Sequence, residues 1–107
     1  MNYKKQHIDL LLLACKKQDQ KAQMELYQRY YKNTYHAAFS ILKNREDAMD
    51  AMQEAFIKAW LNRKQFRDDA NWQTWIYRIT INTCLLKIKQ EKKMLRNLAT
   101  YLNTILT

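Results

Sequence analysis

The sequence predicts an all-α protein, folded as a compact bundle of about four helices. The 107 residues suffice for one domain, and 48% of them are hydrophobic, so the chain can bury a core. It contains no glycine and no proline. Tight hairpin turns with positive φ depend on glycine, so this composition favours helices over a sheet.

The first half of the chain predicts two helices. Apolar residues at helical spacing indicate a helix over about residues 6–17: Ile8, Leu11, Leu12 and Cys15. The polar stretch "KKQDQ" ends this helix. Asp19 can cap a second, amphipathic helix over about residues 20–42, because its carboxylate can accept from free backbone N–H groups.

A third helix is expected over about residues 45–63, after the candidate cap Asn44. Glu46 and Asp47 suit its first turn, where the helix dipole favours negative charge. Small and apolar residues share one face of it, which we expect to be the core side: Ala48, Met52, Ala55, Phe56, Ala59 and Trp60.

The opposite, polar face of the third helix includes two apolar residues, Ile57 and Leu61, among its carboxylates. Two interpretations are open. Another helix can cover both residues, or they are exposed, either as ordinary surface residues or as anchors ringed by acids that bind a basic protein partner. We name this surface the docking strip; it comprises Asp47, Asp50, Gln53, Glu54, Ile57 and Leu61.

A fourth helix is expected over about residues 72–90, capped by Asn71 and able to continue further. It is apolar almost all round, which predicts burial on more than one side and core packing for its tryptophans. Arg78 and Asn82 lie one turn apart, close to the basic run "KIKQEKK". Arginine binds phosphate and asparagine binds base edges, whereas the lysines alone would be typical of a solvated helix end.

The net charge of +9 is unevenly distributed. Residues 44–63 carry four acidic and three basic groups, whereas each flanking part carries eight basic and three acidic ones. A basic total indicates a polyanionic partner, and aromatic residues interleaved with positive charge suit single-stranded nucleic acid. The central acidic island indicates a further, different partner.

Several classes of function are disfavoured. Cys15 and Cys84 have neither metal-site nor redox spacing, so we expect buried thiols in a reducing cytosol. His7 and His36 are isolated, and no set of residues suggests an enzyme, a metal or a cofactor. No run of about 18 apolar residues could span a membrane, and "IDLLLLAC" is too short for a secretory signal.

Three segments, "DQKAQMELYQRYY", "NREDAMDAMQEAFIKAW" and "QFRDDANWQTWIYRITINTCL", follow one another with family-specific spacing. Together they resemble region 2 of bacterial sigma factors of the extracytoplasmic-function (ECF) class. The resemblance covers roughly residues 8–93. It implies a cytoplasmic helical domain without catalytic residues that docks on core RNA polymerase and recognises and melts the promoter −10 element.

The resemblance also implies roles for individual residues. The docking strip would bind the clamp helices of the largest polymerase subunit. The loop and the last helix would capture a flipped base of the single-stranded non-template strand and contact its backbone. The implied DNA-binding residues are Phe66, Arg67, Asp68, Asp69, Trp72, Trp75, Arg78, Asn82, Lys87, Lys89, Lys92 and Lys93.

The chain departs from the family pattern in two ways. Gln18 and Asp68 stand where the family usually carries glycine, and Asp68 places negative charge beside the expected DNA pocket. Nothing after residue 93 resembles the family's second, helix-turn-helix domain. We therefore expect residues 1–93 to be the region 2 domain, and residues 94–107 to begin a linker in a longer protein.

Two alternative functions stay open. One is a sigma-like interaction module that binds an anti-sigma factor or competes for polymerase. The other is a general basic helical domain that binds nucleic acid such as RNA, which would leave the acidic strip without a purpose. Binding of residues 64–93 to a single-stranded −10 element distinguishes the first alternative from an initiation factor.

Overall fold

The computed structural model describes Lys4, residues 7–66 and residues 71–107. These residues form four α-helices and one short 3-10 helix at Arg63–Gln65, and they contain no strand. The α-helices are α1 (Ile8–Lys16), α2 (Gln20–Leu42), α3 (Arg45–Leu61) and α4 (Trp72–Leu106). The prediction of an all-α bundle is confirmed.

The helices α2, α3 and α4 each begin directly after the predicted capping residue. Three side-chain oxygens accept hydrogen bonds from backbone N–H groups: Asp19 from Lys21 and Ala22, Asn44 from Asp47, and Asn71 from Thr74. The α1 helix begins two residues later than expected, because His7 Nδ1 accepts from the N–H of Asp9 and so caps it. Each cap satisfies a donor that has no partner within its helix.

The core lies where α2, α3 and α4 pack against one another and α1 closes one side. Three alanines of α3, Ala51, Ala55 and Ala59, are fully buried. The Trp72 ring lies at the centre of an aromatic group, with ring centroids 5.1 Å from Tyr30, 6.1 Å from Phe56 and 6.2 Å from Trp60. These large rings fill the space beside the small alanine face.

The predicted core face of α3 is confirmed, with Ala51 as an additional member and Trp60 only half-buried. The expectation for α4 was wrong in part. Its buried residues lie on one side and include Trp72, Ile76 and Cys84, whereas Ile81, Leu85 and Leu86 are exposed. Although α4 has apolar residues on all sides, it therefore packs against the bundle with one face only.

The α4 helix is 35 residues long and continues without a break to Leu106. All residues from Lys89 to Thr107 are exposed, so this part of α4 extends beyond the bundle. The molecule accordingly measures 66 × 24 × 22 Å. Residues 94–106 are helical, and the role of residues 94–107 as a linker stays a prediction.

No helix among the described residues is long and apolar enough to cross a membrane. Nor do the described residues bring three or more histidine, cysteine or acidic side chains together as a metal site. Cys15 and Cys84 are both buried free thiols. Burial raises the pKa of Cys15 to about 12, helped by the charge of Asp19, and burial also raises the pKa of Cys84.

Candidate functional site

The docking strip lies on the outer face of α3, where no helix of the described part of the chain covers it. Ile57 is 57% exposed and Leu61 is 74% exposed. Asp47, Asp50 and Gln53 are exposed beside them. Of the two interpretations of these apolar residues, the structure excludes burial by another helix and leaves a surface of mixed apolar and acidic character.

Glu54 differs from the other acids of the docking strip because it forms ion pairs within the molecule. Its carboxylate lies 3.1 Å from Lys87 Nζ of α4 and 3.7 Å from Lys58 Nζ. The hydrogen bond from Lys87 is the main cause that lowers the pKa of Glu54; partial desolvation opposes it, and the charges of Lys87 and Lys58 reinforce it. Lys58 Nζ also donates to Thr83 Oγ1 at 3.2 Å, so polar contacts join α3 to α4 here.

A groove of about 280 Å³ lies between the end of α3, the 3-10 helix and α4. Two predicted DNA-binding residues, Trp75 and Asn82, lie on its wall. Its other lining residues are Lys58, Asn62, Gln65, Ile79, Thr83 and Leu86. The groove therefore combines three amide side chains and one ammonium group with apolar surface.

The amides of the groove retain hydrogen-bonding capacity. Asn62 Nδ2 donates to the carbonyl of Lys58 at 2.9 Å, which leaves its side-chain oxygen facing no donor among the described residues. The side chains of Gln65 and Asn82 make no hydrogen bond to any described residue. Such amides can pair with donors and acceptors of a ligand.

Sequence reasoning missed Lys58, Asn62 and Gln65 as groove residues. Helical spacing places Lys58 on the polar side of α3, and neither amide belongs to a recognisable motif. A signal was nevertheless present, because both amides lie within the four residues before Phe66, just after the third helix. Only the tertiary structure shows that they line the same groove as Asn82.

Phe66 and Trp72 were predicted to contact DNA; the structure places both in the core of the free domain, and their contact with DNA stays a prediction. Each is only 4% exposed. The Phe66 ring lies 5.2 Å from the ring of Trp75, and Lys16 Nζ lies 5.6 Å above its centroid. The buried Phe66 ring thus packs against the partly buried ring of Trp75. The predicted DNA contacts Arg67, Asp68 and Asp69 lie outside the described residues.

The basic residues of α4 lie on different sides of the helix. Helical spacing places Arg78, Lys89 and Lys93 on the same strip as Asn82, with Lys92 beside it, and all four are exposed. Lys87 lies on the other side of α4 and pairs with Glu54. Of the four lysines predicted to contact phosphates, three therefore lie on or beside the strip of Asn82, and Lys87 does not.

Comparison with known proteins identifies the family of the chain. The family model "Sigma-70 region 2" matches residues 26–94. The chain belongs to the sigma-70 region 2 family. This sigma region 2 domain is 35% identical over 77 residues to the ECF RNA polymerase sigma factor SigW of Bacillus subtilis, which covers 72% of the chain and 41% of that relative.

Other relatives are similar at the same level. The ECF RNA polymerase sigma-E factor of Escherichia coli is 39% identical over 77 residues, covering 69% of the chain and 38% of the relative. SigM of Mycobacterium tuberculosis is 33% identical over 82 residues, covering 77% of the chain and 42% of the relative. The domain is thus of the ECF class and spans about two fifths of the length of these relatives.

One similar solved structure is an engineered region 2 of sigmaE in complex with GTAAAA. It shares 32% sequence identity with the chain at a TM-score of 0.78. The match covers 85% of this chain and 96% of that one. The bundle fold of this domain is therefore the fold of sigma region 2.

Proposed function

We propose that this domain is a transcription initiation factor domain that docks on core RNA polymerase and recognises the promoter −10 element as a single strand. The observation that carries the proposal is the groove, which adjoins the basic strip of α4 and contains Asn82. The solved relative, whose complex contains GTAAAA, supports a single-stranded partner. The names of the curated relatives support polymerase as the second partner.

The groove suits one flipped base. Its volume of about 280 Å³ lies just below the range of pockets that hold drug-sized ligands. Trp75, Ile79 and Leu86 offer apolar surface to the base, and Asn62, Gln65 and Asn82 offer hydrogen bonds to its edges. Unstacking a base costs a few kcal/mol, and contacts worth about 1–3 kcal/mol per base offset much of this.

The strand would leave the groove along the exposed strip of α4. Arg78 lies one turn before Asn82 on this strip and Lys89 and Lys93 lie after it, so their positive charges can hold phosphates on both sides of the base. The protein makes and breaks no bond in this process. Melting is a shift of equilibrium, because the domain binds the open strand in preference to the duplex.

Docking on polymerase would use the acidic and apolar surface of α3, in contrast to the basic strip of α4. Ile57 and Leu61 provide exposed apolar anchors, and Asp47 and Asp50 provide unshielded negative charge around them. Such a surface suits a partner with basic residues around apolar pockets. The clamp helices of the largest polymerase subunit are the expected partner, and an anti-sigma factor could compete for the same strip.

Binding of fluorescent single-stranded GTAAAA to Asn82→Ala tests the proposal. We expect affinity to fall about tenfold, which corresponds to the 1–3 kcal/mol of a base-edge contact, with an unchanged melting temperature because Asn82 is exposed. The matched control is Asn97→Ala, an exposed asparagine of the same helix outside the groove. Equal affinities of the two variants would refute the groove as the base-binding site.

A further inference from the structure

Residues 90–106 form an extension of α4 that carries an uncovered apolar stripe. The stripe comprises Met94, Leu95, Leu98, Tyr101, Leu102 and Ile105, each between 50% and 63% exposed. At 1.5 Å per residue the extension is about 25 Å long, which accounts for much of the 66 Å length of the molecule. A monomer rarely leaves a contiguous apolar surface of this kind uncovered.

The second half of the extension has only a modest intrinsic tendency to be helical. Asn97, Thr100, Asn103 and Thr104 are poor helix formers, and they lie within eight residues of each other. The hydroxyls of Thr100 and Thr104 donate to carbonyls one turn earlier, at 3.0 Å each, which adds little stability. Such a helix gains its stability by burying its apolar face.

The stripe has the spacing of a coiled-coil seam. Leu95, Leu98, Leu102 and Ile105 are separated alternately by three and four residues, as the a and d positions of a heptad are. Residues 97–107 contain no charged side chain. This half of the extension therefore neither selects a partner of opposite charge nor repels an identical helix.

We propose that the stripe pairs with the same stripe of a second copy of this chain, with the two α4 extensions antiparallel. In this register Leu95 lies opposite Ile105 of the second copy, and Leu98 lies opposite its Leu102. A parallel pair would set Lys92, Lys93 and Arg96 beside their own copies. The antiparallel pair sets this basic segment beside uncharged residues and places the two bundles at opposite ends.

The size of the stripe predicts a weak dimer. Six half-exposed side chains offer on the order of 600 Å² per copy, compared with about 800 Å² per partner in an interface of standard size. Ordering the two helices also costs free energy. We therefore expect a dissociation constant on the order of tens to hundreds of micromolar for the dimer. The dimer contacts are separate from the surfaces proposed for polymerase and DNA.

Sedimentation equilibrium of the whole chain over a wide range of concentration tests the pairing. We expect a reversible monomer–dimer equilibrium for the wild type and a monomer for the double variant Leu98→Asp, Leu102→Asp. The control is Leu13→Asp, an α1 residue that is 53% exposed; it should dimerise like the wild type. Near-UV circular dichroism should show an intact bundle in every variant.

A wild type that stays monomeric throughout would overturn the proposal and assign the stripe to a different protein. Dimerisation that survives the double substitution would overturn the choice of this face.

Cysteine cross-linking tests the orientation. When the Leu98→Cys and Leu102→Cys variants are mixed and oxidised, the antiparallel register predicts mixed dimers in excess over the statistical proportion. Homodimers in excess would contradict it, because a parallel pair sets each residue beside its own copy. The native Cys15 and Cys84 are buried and should give no cross-link in the wild type.

Discussion

Gln18 holds its backbone in the left-handed region, with φ of 63°. It follows α1 in a Schellman arrangement, in which the N–H of Asp19 donates to the carbonyl of Ala14 and the N–H of Gln18 donates to that of Cys15. Glycine is the residue that suits this position, because a Cβ costs roughly 1–2 kcal/mol there. The departure from the family's usual glycine therefore has a cost in the fold of this chain.

Replacing Gln18 with glycine should stabilise the domain. We expect a gain of about 1 kcal/mol in the free energy of unfolding, which raises the melting temperature by about 4–8 °C in a domain of this size. Thermal unfolding followed by circular dichroism measures it. Gln18→Ala is the control, since it keeps the Cβ and should bring no gain; a gain as large as that of glycine would contradict the explanation.

At the scale of the helix, helical periodicity places the core residues and the docking strip on opposite faces of α3. One face contributes alanines and Phe56 to the core, and the other presents the docking strip. Asp50 and Ile57 are exposed and make no described ion pair, so substitutions there change the surface and leave the packing intact. Glu54 is less suitable for such a test because it is paired with Lys87.

Substitution of the docking strip should weaken binding to core polymerase without unfolding the domain. We expect Asp50→Arg combined with Ile57→Asp to lower the affinity by tenfold or more, about 1.4 kcal/mol, because one change reverses charge and the other removes an apolar anchor. A pull-down of purified core polymerase measures this. The matched control combines Glu91→Arg with Leu13→Asp, both at exposed positions outside the strip; equal losses would reject the docking strip.

At the scale of the whole molecule, the ion pair between Glu54 and Lys87 joins the docking strip of α3 to the side of α4 that lies away from Asn82. Glu54 belongs to the docking strip on α3, and Lys87 belongs to the basic segment of α4. Because the pKa of Glu54 is lowered, the pair forms at neutral pH. The stability that the pair contributes is present above 4.5, the ordinary pKa of a glutamate. It is lost as the pH falls from there through the lowered pKa of Glu54. Lys87 is therefore paired with Glu54 at neutral pH when the domain has no partner bound.

Removing the charge of Glu54 should release Lys87 for a phosphate. We expect Glu54→Gln to bind single-stranded GTAAAA about two- to fivefold more tightly, since an exposed ion pair contributes about 0.2–1 kcal/mol. Asp50→Asn is the control for a general loss of negative charge. Measured by fluorescence anisotropy, the difference between the two variants should vanish in a Lys87→Gln background; a difference that persists there would exclude Lys87 as its cause.

The sequence by itself determined the helices, their caps and the core face of α3. These follow from local rules: Asp19, Asn44 and Asn71 bond to amides two or three residues away, and burial follows the helical repeat. Ile57 and Leu61 could be recognised as unusual by the same repeat. The resemblance to sigma region 2 added the expected roles of Trp75, Arg78 and Asn82, which remain predictions.

Only the tertiary structure decided which of these side chains share a surface. Phe66 and Trp72 are in the core, and Asn62 and Gln65 line the same groove as Asn82. Lys87 is tied to Glu54 rather than aligned with Lys89. Contacts between residues of different helices depend on the packing of whole helices, and no local pattern in the sequence encodes them.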